Sequence, residues 1–424
     1  MTKRPRPGTY AIDLFAGCGG LSLGLELSGF ETLLFSELNK DAAATYQANR
    51  PDPSLKAYGD VYKLTNATLR SLREEWRKEG IEDIDIVAGG PPCQGYSKIG
   101  HRRTFKLKKD EIPSNQLYKE MVRIVASVSP KLFLFENVSG LLTSRWNPEG
   151  KKGDIFRDVL RAFLDLNNYT VRWQLVHAKD YGVPQNRPRI LIVGIRRDLG
   201  FAIPPAQEDP ETVLKPTAVA DGLLPVPTGK YPDLADLLGD LIDSRFTAGG
   251  STTRYPAAAS TSVQRILRTR LDGTVARKGD VLTEHDYSHH SPKIREKFVY
   301  MIKHGGVIPE AMQTKKFAQR VLLPKWSNGG PNITATSLPD DFVHFSQPRI
   351  LSVREWARLQ MFPDWYQFRG PRTTGGRRRA GDPGAGIWDR DVPKYTQIGN
   401  AVPVGLSRAV GEHLSKLLRQ ARRQ

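Results

Sequence analysis

The sequence predicts an α/β protein: a doubly wound, mostly parallel sheet followed by a second, smaller and irregular unit. Three observations carry that expectation. Up to Asp198, short apolar runs suited to buried strands alternate with segments of helical, 3.6-residue periodicity. Glycine turns, single carboxylates and a Pro-Pro-Cys step fall at the ends of those strands, where open α/β sheets place their ligands. Beyond Asp198 the alternation gives way to sequence rich in Pro, Ala, Gly and Asp.

With 424 residues the chain has room for two or three domains and a sizeable core. Hydrophobic residues make up 39% of it, but no apolar run reaches the roughly 18 residues a membrane span needs. The start, MTKRPRPGTYAIDLF, lacks the apolar core and cleavage site of a secretory signal. Cys18 and Cys93 are the only cysteines, which excludes a disulfide framework and suits a reducing compartment. A net charge of +18 suits an enzyme that approaches phosphates. Charge of this kind gives affinity for any polyanion and no sequence preference.

Tyr10–Phe15 reads as the first strand, and Phe15, Ala16, Gly17, Cys18, Gly19 and Gly20 as a turn entering a helix at Leu21. Glycines there permit a tight turn and close approach of backbone to a ligand. Thr32–Phe35 is the second strand and leads to Glu37, about 20 residues on, the spacing at which a carboxylate holds ribose hydroxyls. A third element ends at Gly59-Asp60-Val61, so Glu37 and Asp60 would line an adenosine pocket, on the ribose and the adenine amino group respectively. Neither GxGxxG nor a Walker pattern occurs, which disfavours dinucleotides and triphosphates.

After a helix over 64–78, the run Ile84–Ala88 enters Gly89-Gly90-Pro91-Pro92-Cys93. The prolines restrict the chain and aim one thiol above the sheet edge, as a nucleophile requires. A small buried cysteine beside a turn has the same local pattern, so its neighbours must decide. The basic stretch 98–113 is either a solvated loop or a flap closing on phosphates. Leu117, Met121, Ile124, Val125 and Val128 make a helical stripe, and the strand after it ends at Glu136-Asn137. A helix over 155–166 and strands over 169–177 and 189–195 complete the alternation.

Three units are expected: 1–198 with the strand-end candidates for catalysis and cofactor, 199–392 as a second, irregular unit, and 393–424 as a C-terminal helix returning to the first. The middle unit holds one clear helix, Pro292–Lys303, stopped by Gly305-Gly306, and an amphipathic segment, Arg349–Trp365. His285, His289 and His290 lack the partners of a zinc site, so no metal is expected. Residues 369–391 read as a flexible basic loop, and Leu406, Val410, Leu414, Leu417 and Leu418 share one face of the last helix.

Taken together, DLFAGCGGLSLG (13–24), SELN at Glu37, GDV (59–61), PPCQGYS (91–97), ENV (136–138), QNRPR (185–189), RILSVREWARLQMFP and TQIGNAVPVGL (396–406) resemble, in order, the motifs of C5-cytosine DNA methyltransferases. Roughly half of the chain is covered. The resemblance implies methyl transfer from S-adenosylmethionine to C5 of a cytosine flipped out of specific double-stranded DNA. By it, Cys93 adds to C6, Glu136 stabilises charge developing at N3, Asn137 fixes the loop, Arg189 contacts O2 with Arg187 beside it, and Gln94 and Ser97 fill the vacated space or hold a phosphate. Phe15 to Gly20, Glu37, Asp60 and Val61 would hold the cofactor, with Asn400 and Val402 closing over its methionine end. Leu38 stands where many members carry an aromatic residue that stacks on adenine.

The same resemblance implies a monomer in the bacterial cytoplasm, nucleoid-associated through DNA, with a restriction endonuclease as companion. A transfer-RNA methylase of the same scaffold typically has a Cys-Phe-Thr tripeptide, which this chain lacks. A non-catalytic DNA-binding homologue would have lost motifs that are present here, and an oxidoreductase would not explain PPC, ENV and QNRPR together.

Overall fold

The computed structural model describes residues 8–92, 113–147, 149–201, 214–313, 319–325, 331–334, 339–373 and 391–421. Its centre is a seven-stranded sheet in the order β3-β2-β1-β4-β5-β7-β6. The strands are β1 (Thr9–Leu14), β2 (Phe30–Ser36), β3 (Lys56–Tyr58), β4 (Ile86–Gly89), β5 (Leu132–Val138), β6 (Tyr169–His177) and β7 (Pro188–Arg196). From β3 to β5 all pairings are parallel, as expected for a doubly wound sheet, whereas β7 runs antiparallel to both β5 and β6. That reversal matters to the chemistry, because it brings the start of β7 to the edge where the parallel strands end. Val138 therefore faces Arg189 in the register.

Residue alternation along the strands separates two apolar layers. Ile12, Val87, Phe133 and Phe135 turn toward α3 (Asn66–Lys78), α4 (Leu117–Val128) and α5 (Asp154–Leu164), whose Leu69, Met121, Val125, Val159 and Phe163 are buried there. Ala11, Ile86, Leu132 and Leu134 turn the other way, toward α1 (Gly20–Glu26) and the C-terminal helix. Helix boundaries follow local chemistry. Thr65 caps α3 by accepting a hydrogen bond from the Thr68 amide at 3.1 Å, and Arg77 and Lys78 occupy its last turn, favourable to the helix dipole. A nine-residue helix, α2 (Lys40–Ala48), follows β2 and is capped by Asn39.

Beyond β7 the elements are short: α6 (Leu234–Leu238), α7 (Ser262–Arg268), α8 (Pro292–Lys303), the paired β8 (Arg320–Val321) and β9 (Phe342–Val343), and α9 (Val353–Arg358). Proline at the first position of α8 and Gly305 and Gly306 beyond its end mark it as read from sequence. The segment expected to be amphipathic from Arg349 to Trp365 is different: only Val353–Arg358 is helical, and every residue from Ile350 to Gln360 is buried. Its charges are neutralised internally. Arg349 pairs with Glu355 at 2.7 Å, and Arg358 pairs with Asp240 and Asp364, each at 2.6 Å. Unpaired, such buried charges would cost several kcal/mol each, on the order expected for desolvated ions.

Helices α10 (Lys394–Asn400) and α11 (Val404–Ala421) end the described chain. Leu406, Val410, Leu414 and Leu418 of α11 are buried against α1, while Leu417 lies at the margin of that layer. The helices meet closely, since a Cβ on Gly24 would lie 2.0 Å from Ser407 Oγ. Among the described residues, no helix is long and apolar enough to cross a membrane.

Candidate active site and cofactor cradle

At the end of β1 the backbone turns through Phe15 at φ 58°, an uncommon conformation for a residue with a side chain. The turn is pinned to β2 and its sequel. The Ala16 amide donates to Ser36 O at 2.9 Å, and the Gly17 amide donates to Glu37 Oε2 at 2.8 Å. Glu37 Oε1 accepts from the Asn39 amide at 2.8 Å. The two amides hold the carboxylate in one orientation.

The glycines of this turn have different reasons to be glycine. Gly17 sits at φ 57° with no atom within 4 Å of where its Cβ would be, so it faces open space. A Cβ on Gly19 would collide with Tyr366 Oη at 2.7 Å, and one on Gly20 with Val402 O at 2.4 Å. Gly19 and Gly20 therefore admit other parts of the protein, and Gly17 alone leaves room for a ligand. Asp60 caps the turn Val61–Lys63, its Oδ1 accepting from the Tyr62 amide at 3.0 Å. Val61 is buried, while Leu38 is 75% exposed. Cys18 is buried with its thiol on Gln397 O at 3.4 Å, and burial pushes that thiol up to about 12, which makes it an inert packing group.

The second half of the site forms under Pro91 and Pro92. Asn137 Nδ2 donates to Pro91 O at 3.1 Å, tying the end of β5 to the chain leaving β4. Glu136, beside it, pairs with Arg189 through Oε1 and Nε at 2.5 Å, and both side chains are about nine-tenths buried. Gly90 has to lack a side chain here, since its Cβ would stand 2.8 Å from Glu136 Oε2. Burial raises the Glu136 carboxyl above its ordinary range, with Arg189 and Arg187 opposing the shift. Arg187 does not join the Glu136 pair. Its Nη2 donates to Gly399 O at 2.6 Å and Ala401 O at 3.0 Å, bracing the loop that reaches Gly20. Asn400, at the end of α10, is exposed, and Val402 is half-buried. Cys93, Gln94 and Ser97, with the basic stretch after them, lie outside the described residues.

The C-5 cytosine-specific DNA methylase model matches residues 10–416, nearly the whole chain. The chain belongs to that family. Type II methyltransferase M.DdeI of Desulfomicrobium norvegicum is 31% identical to the methylase over 95% of this chain and 88% of its own. Type II methyltransferase M.XorII of Xanthomonas oryzae is 30% identical over 96% and 85%. In fold, the methylase is similar to a chain described as a DNA modification methyltransferase encoded within an E. coli prophage, at TM-score 0.65, 23% identity, and coverage of 97% and 100%.

Sequence reasoning missed a layer beneath the glycine turn of the methylase. Tyr46 stacks on Phe35 with centroids 4.0 Å apart, and Arg50 lies 3.9 Å over the Tyr46 ring while pairing with Glu26 at 2.7 Å. Tyr366 Oη donates to Cys18 O at 2.5 Å. No motif spacing announces these residues, because they come from helices and loops far apart in sequence. Among the described residues, no group of three or more His, Cys, Asp or Glu is placed to hold a metal. His285 instead bonds Ser352 Oγ at 2.7 Å and Leu241 O at 3.0 Å.

Asp13 lies within the same layer, fully buried, with one carboxyl oxygen on Ser22 Oγ and the other without a hydrogen bond. Burial pushes its carboxyl up to about 7 from 3.8. The folded state thus holds a proton that the unfolded chain has released. Stabilisation from this group is complete below pH 3.8 and is lost as pH rises through about 7. Asp13→Asn, which cannot ionise, is expected to gain stability relative to wild type as pH rises from 3.8 to about 7 and to keep that gain at higher pH, on the order of a few kcal/mol. Thermal unfolding of both proteins across that range measures it. A difference that stays constant with pH would show that Asp13 is ionised throughout.

Proposed function

We propose that this methylase transfers a methyl group from S-adenosylmethionine to C5 of a flipped cytosine in a specific duplex sequence, through a transient bond between Cys93 and C6. The observation that carries the reading is a buried Glu136, its carboxyl raised by that burial, held by Arg189 directly beneath the Pro91-Pro92 step that leads to Cys93.

Cytosine C5 is too weak a nucleophile to be methylated directly, so covalent catalysis divides the step. The Cys93 thiolate adds at C6, electron density moves toward N3, and Glu136 supplies a proton or strong hydrogen bond there. C5 then becomes nucleophilic. Arg189 lies on the same carboxylate and suits the neighbouring O2, while Asn137 holds the loop carrying Cys93 through Pro91. Loss of the C5 proton to a base and expulsion of the Cys93 sulfur restore the aromatic ring. Gln94 and Ser97, next along the chain from Cys93, would fill the space left by the base or bind its phosphate. Because none of these groups reaches C6 in a stacked duplex, the base has to leave the helix, at an unstacking cost of about a few kcal/mol.

The cradle fits the methyl donor. Gly17 leaves open space beside a carboxylate already oriented by its own amide, and Phe15, Ala16, Leu38, Asp60 and Val61 border the same strand ends. Glu37 would take the ribose, Asp60 the adenine amino group, and Asn400 and Val402 the methionine end. S-adenosylmethionine, when bound, supplies an electrophilic methyl group. By the same reading, residues 199–392 form the recognition unit, residues 393–424 return to the catalytic part, and the enzyme acts as a cytoplasmic, nucleoid-associated monomer. The Type II relatives support a place in a restriction-modification system beside an endonuclease of the same specificity.

Duplex DNA carrying 5-fluorocytosine at the target tests the reading, since C5 then has no proton to lose. With cofactor present, a denaturation-resistant adduct containing Cys93 is expected. Recovery of only free protein and free DNA would overturn the covalent route.

A further inference from the structure

Residues 253–282 form a compact irregular hairpin. Tyr255 N donates to Asp280 O at 3.0 Å, Leu282 N to Thr253 O at 2.8 Å, and Ala276 N to Arg268 O at 3.1 Å. Its tip is a tight turn in which Arg270 N bonds Thr274 O at 2.8 Å and Gly273, at φ 81°, bonds Arg270 O at 3.0 Å. Asp272 Oδ1 accepts from the Thr274 amide and hydroxyl at 2.9 and 2.7 Å, and Arg270 pairs with Asp280 at 2.6 Å. The turn is thus fully bonded, yet it presents Leu271 with 76% of its surface exposed. Val275 and Val281 of the same hairpin are exposed as well.

The surroundings are basic. Arg254, Arg265, Arg277 and Lys278 are exposed, while Asp272 and Asp280 are engaged within the hairpin. The base of the hairpin is also fixed rigidly to the rest of the enzyme. Buried Arg268 pairs with Asp240 at 2.5 Å and lies 3.8 Å over the Tyr255 ring. Asp240 holds Arg358, Arg358 holds Asp364, and Asp364 N returns to Leu267 O at 2.7 Å. Tyr366, two residues on, bonds the cofactor turn at Cys18 O. A side chain at the tip therefore keeps a set position relative to the catalytic half, as a recognition element requires.

We propose that the Arg270–Thr274 turn reads bases of the target duplex, with Leu271 packing on the apolar edge of a base pair in the major groove and Arg254, Arg277 and Lys278 holding flanking phosphates. A thymine or 5-methyl edge is the chemistry an aliphatic tip recognises, and exposed arginine and lysine match the duplex in charge. This assignment rests on the reading that the enzyme methylates a specific duplex sequence.

Full-length wild type, Leu271→Ala and Arg277→Ala/Lys278→Ala are compared on a randomised duplex library, scored by bisulfite sequencing, together with duplex binding across a salt series. Leu271→Ala should lose discrimination against sites differing at one base pair by about tenfold, with unchanged affinity for unrelated duplex. The double variant should bind all duplexes more weakly and lower the salt slope by about 2, while keeping the sequence preference. Because Leu271 is exposed, an unchanged melting temperature and unchanged S-adenosylmethionine binding confirm an intact fold. Wild-type discrimination in an active Leu271→Ala enzyme would overturn the assignment, as would a variant altered only in self-association by sedimentation. An unchanged salt slope in the double variant would remove the phosphate contacts. A wild-type enzyme leaving no 5-methylcytosine anywhere would sink the functional reading and the turn with it, a pattern distinct from the others.

Discussion

Cys93→Ser is expected to abolish methyl transfer while leaving binding of S-adenosylmethionine and of duplex DNA intact. An alkoxide is far harder to form near neutral pH than a thiolate, and nucleophilic attack on C6 depends on the anion. The cradle proposed for the cofactor, Phe15–Gly20, Glu37 and Asp60, does not involve the Cys93 thiol, so its affinity should be insensitive to the change. Tritium transfer from labelled cofactor measures the loss, and calorimetry measures the two affinities. Transfer at a wild-type rate in the serine variant would exclude the covalent mechanism, and loss of both affinities would mean that Cys93 is structural.

Glu136→Gln should lower the rate by about 10² to 10⁴, the range for removing a positioned acid or base. Glutamine matches glutamate in shape and can still accept a hydrogen bond from Arg189, so the pairing under Gly90 has a neutral counterpart. What it lacks is the acidic proton. Because burial raises this carboxyl, wild type should keep the protonated form to higher pH than an exposed glutamate and lose rate as pH rises through that raised value. The glutamine variant should lack that alkaline limb. Single-turnover rates across pH decide it: a variant rate near wild type, with the same pH profile, would remove Glu136 from the chemistry.

The sheet was legible because its signals are local. The continuous apolar run Leu132–Phe135 and the 3.6-residue stripe of Leu117–Val128 report burial directly, and both elements lie within a few residues of their expected bounds. Glu136, Asn137 and Arg189 were also legible through the family resemblance, but their meeting depends on β7 running antiparallel, which no single segment encodes. Arg187, two residues before Arg189, turns instead to the carbonyls of Gly399 and Ala401. The buried arginines were the main misreading. Arg349, Arg354 and Arg358 give the segment from Arg349 to Trp365 the look of a helix with a solvated face, and only distant partners such as Asp240 and Thr283 reveal that the face is interior. Side-chain periodicity cannot see a counter-charge more than a hundred residues away.

The closeness of α11 to α1 bears on how the molecule is made. Ser407 Oγ donates to Gly20 O at 2.9 Å across 387 residues of chain, and the apolar layer beneath β1 and β4 is completed only by Leu406, Val410 and Leu414. A nascent chain emerging from the ribosome must therefore carry an open apolar seam along α1 until residues 406–414 have followed it out. Contacts of such long sequence separation form late and slowly, so the sheet's second face closes after its first.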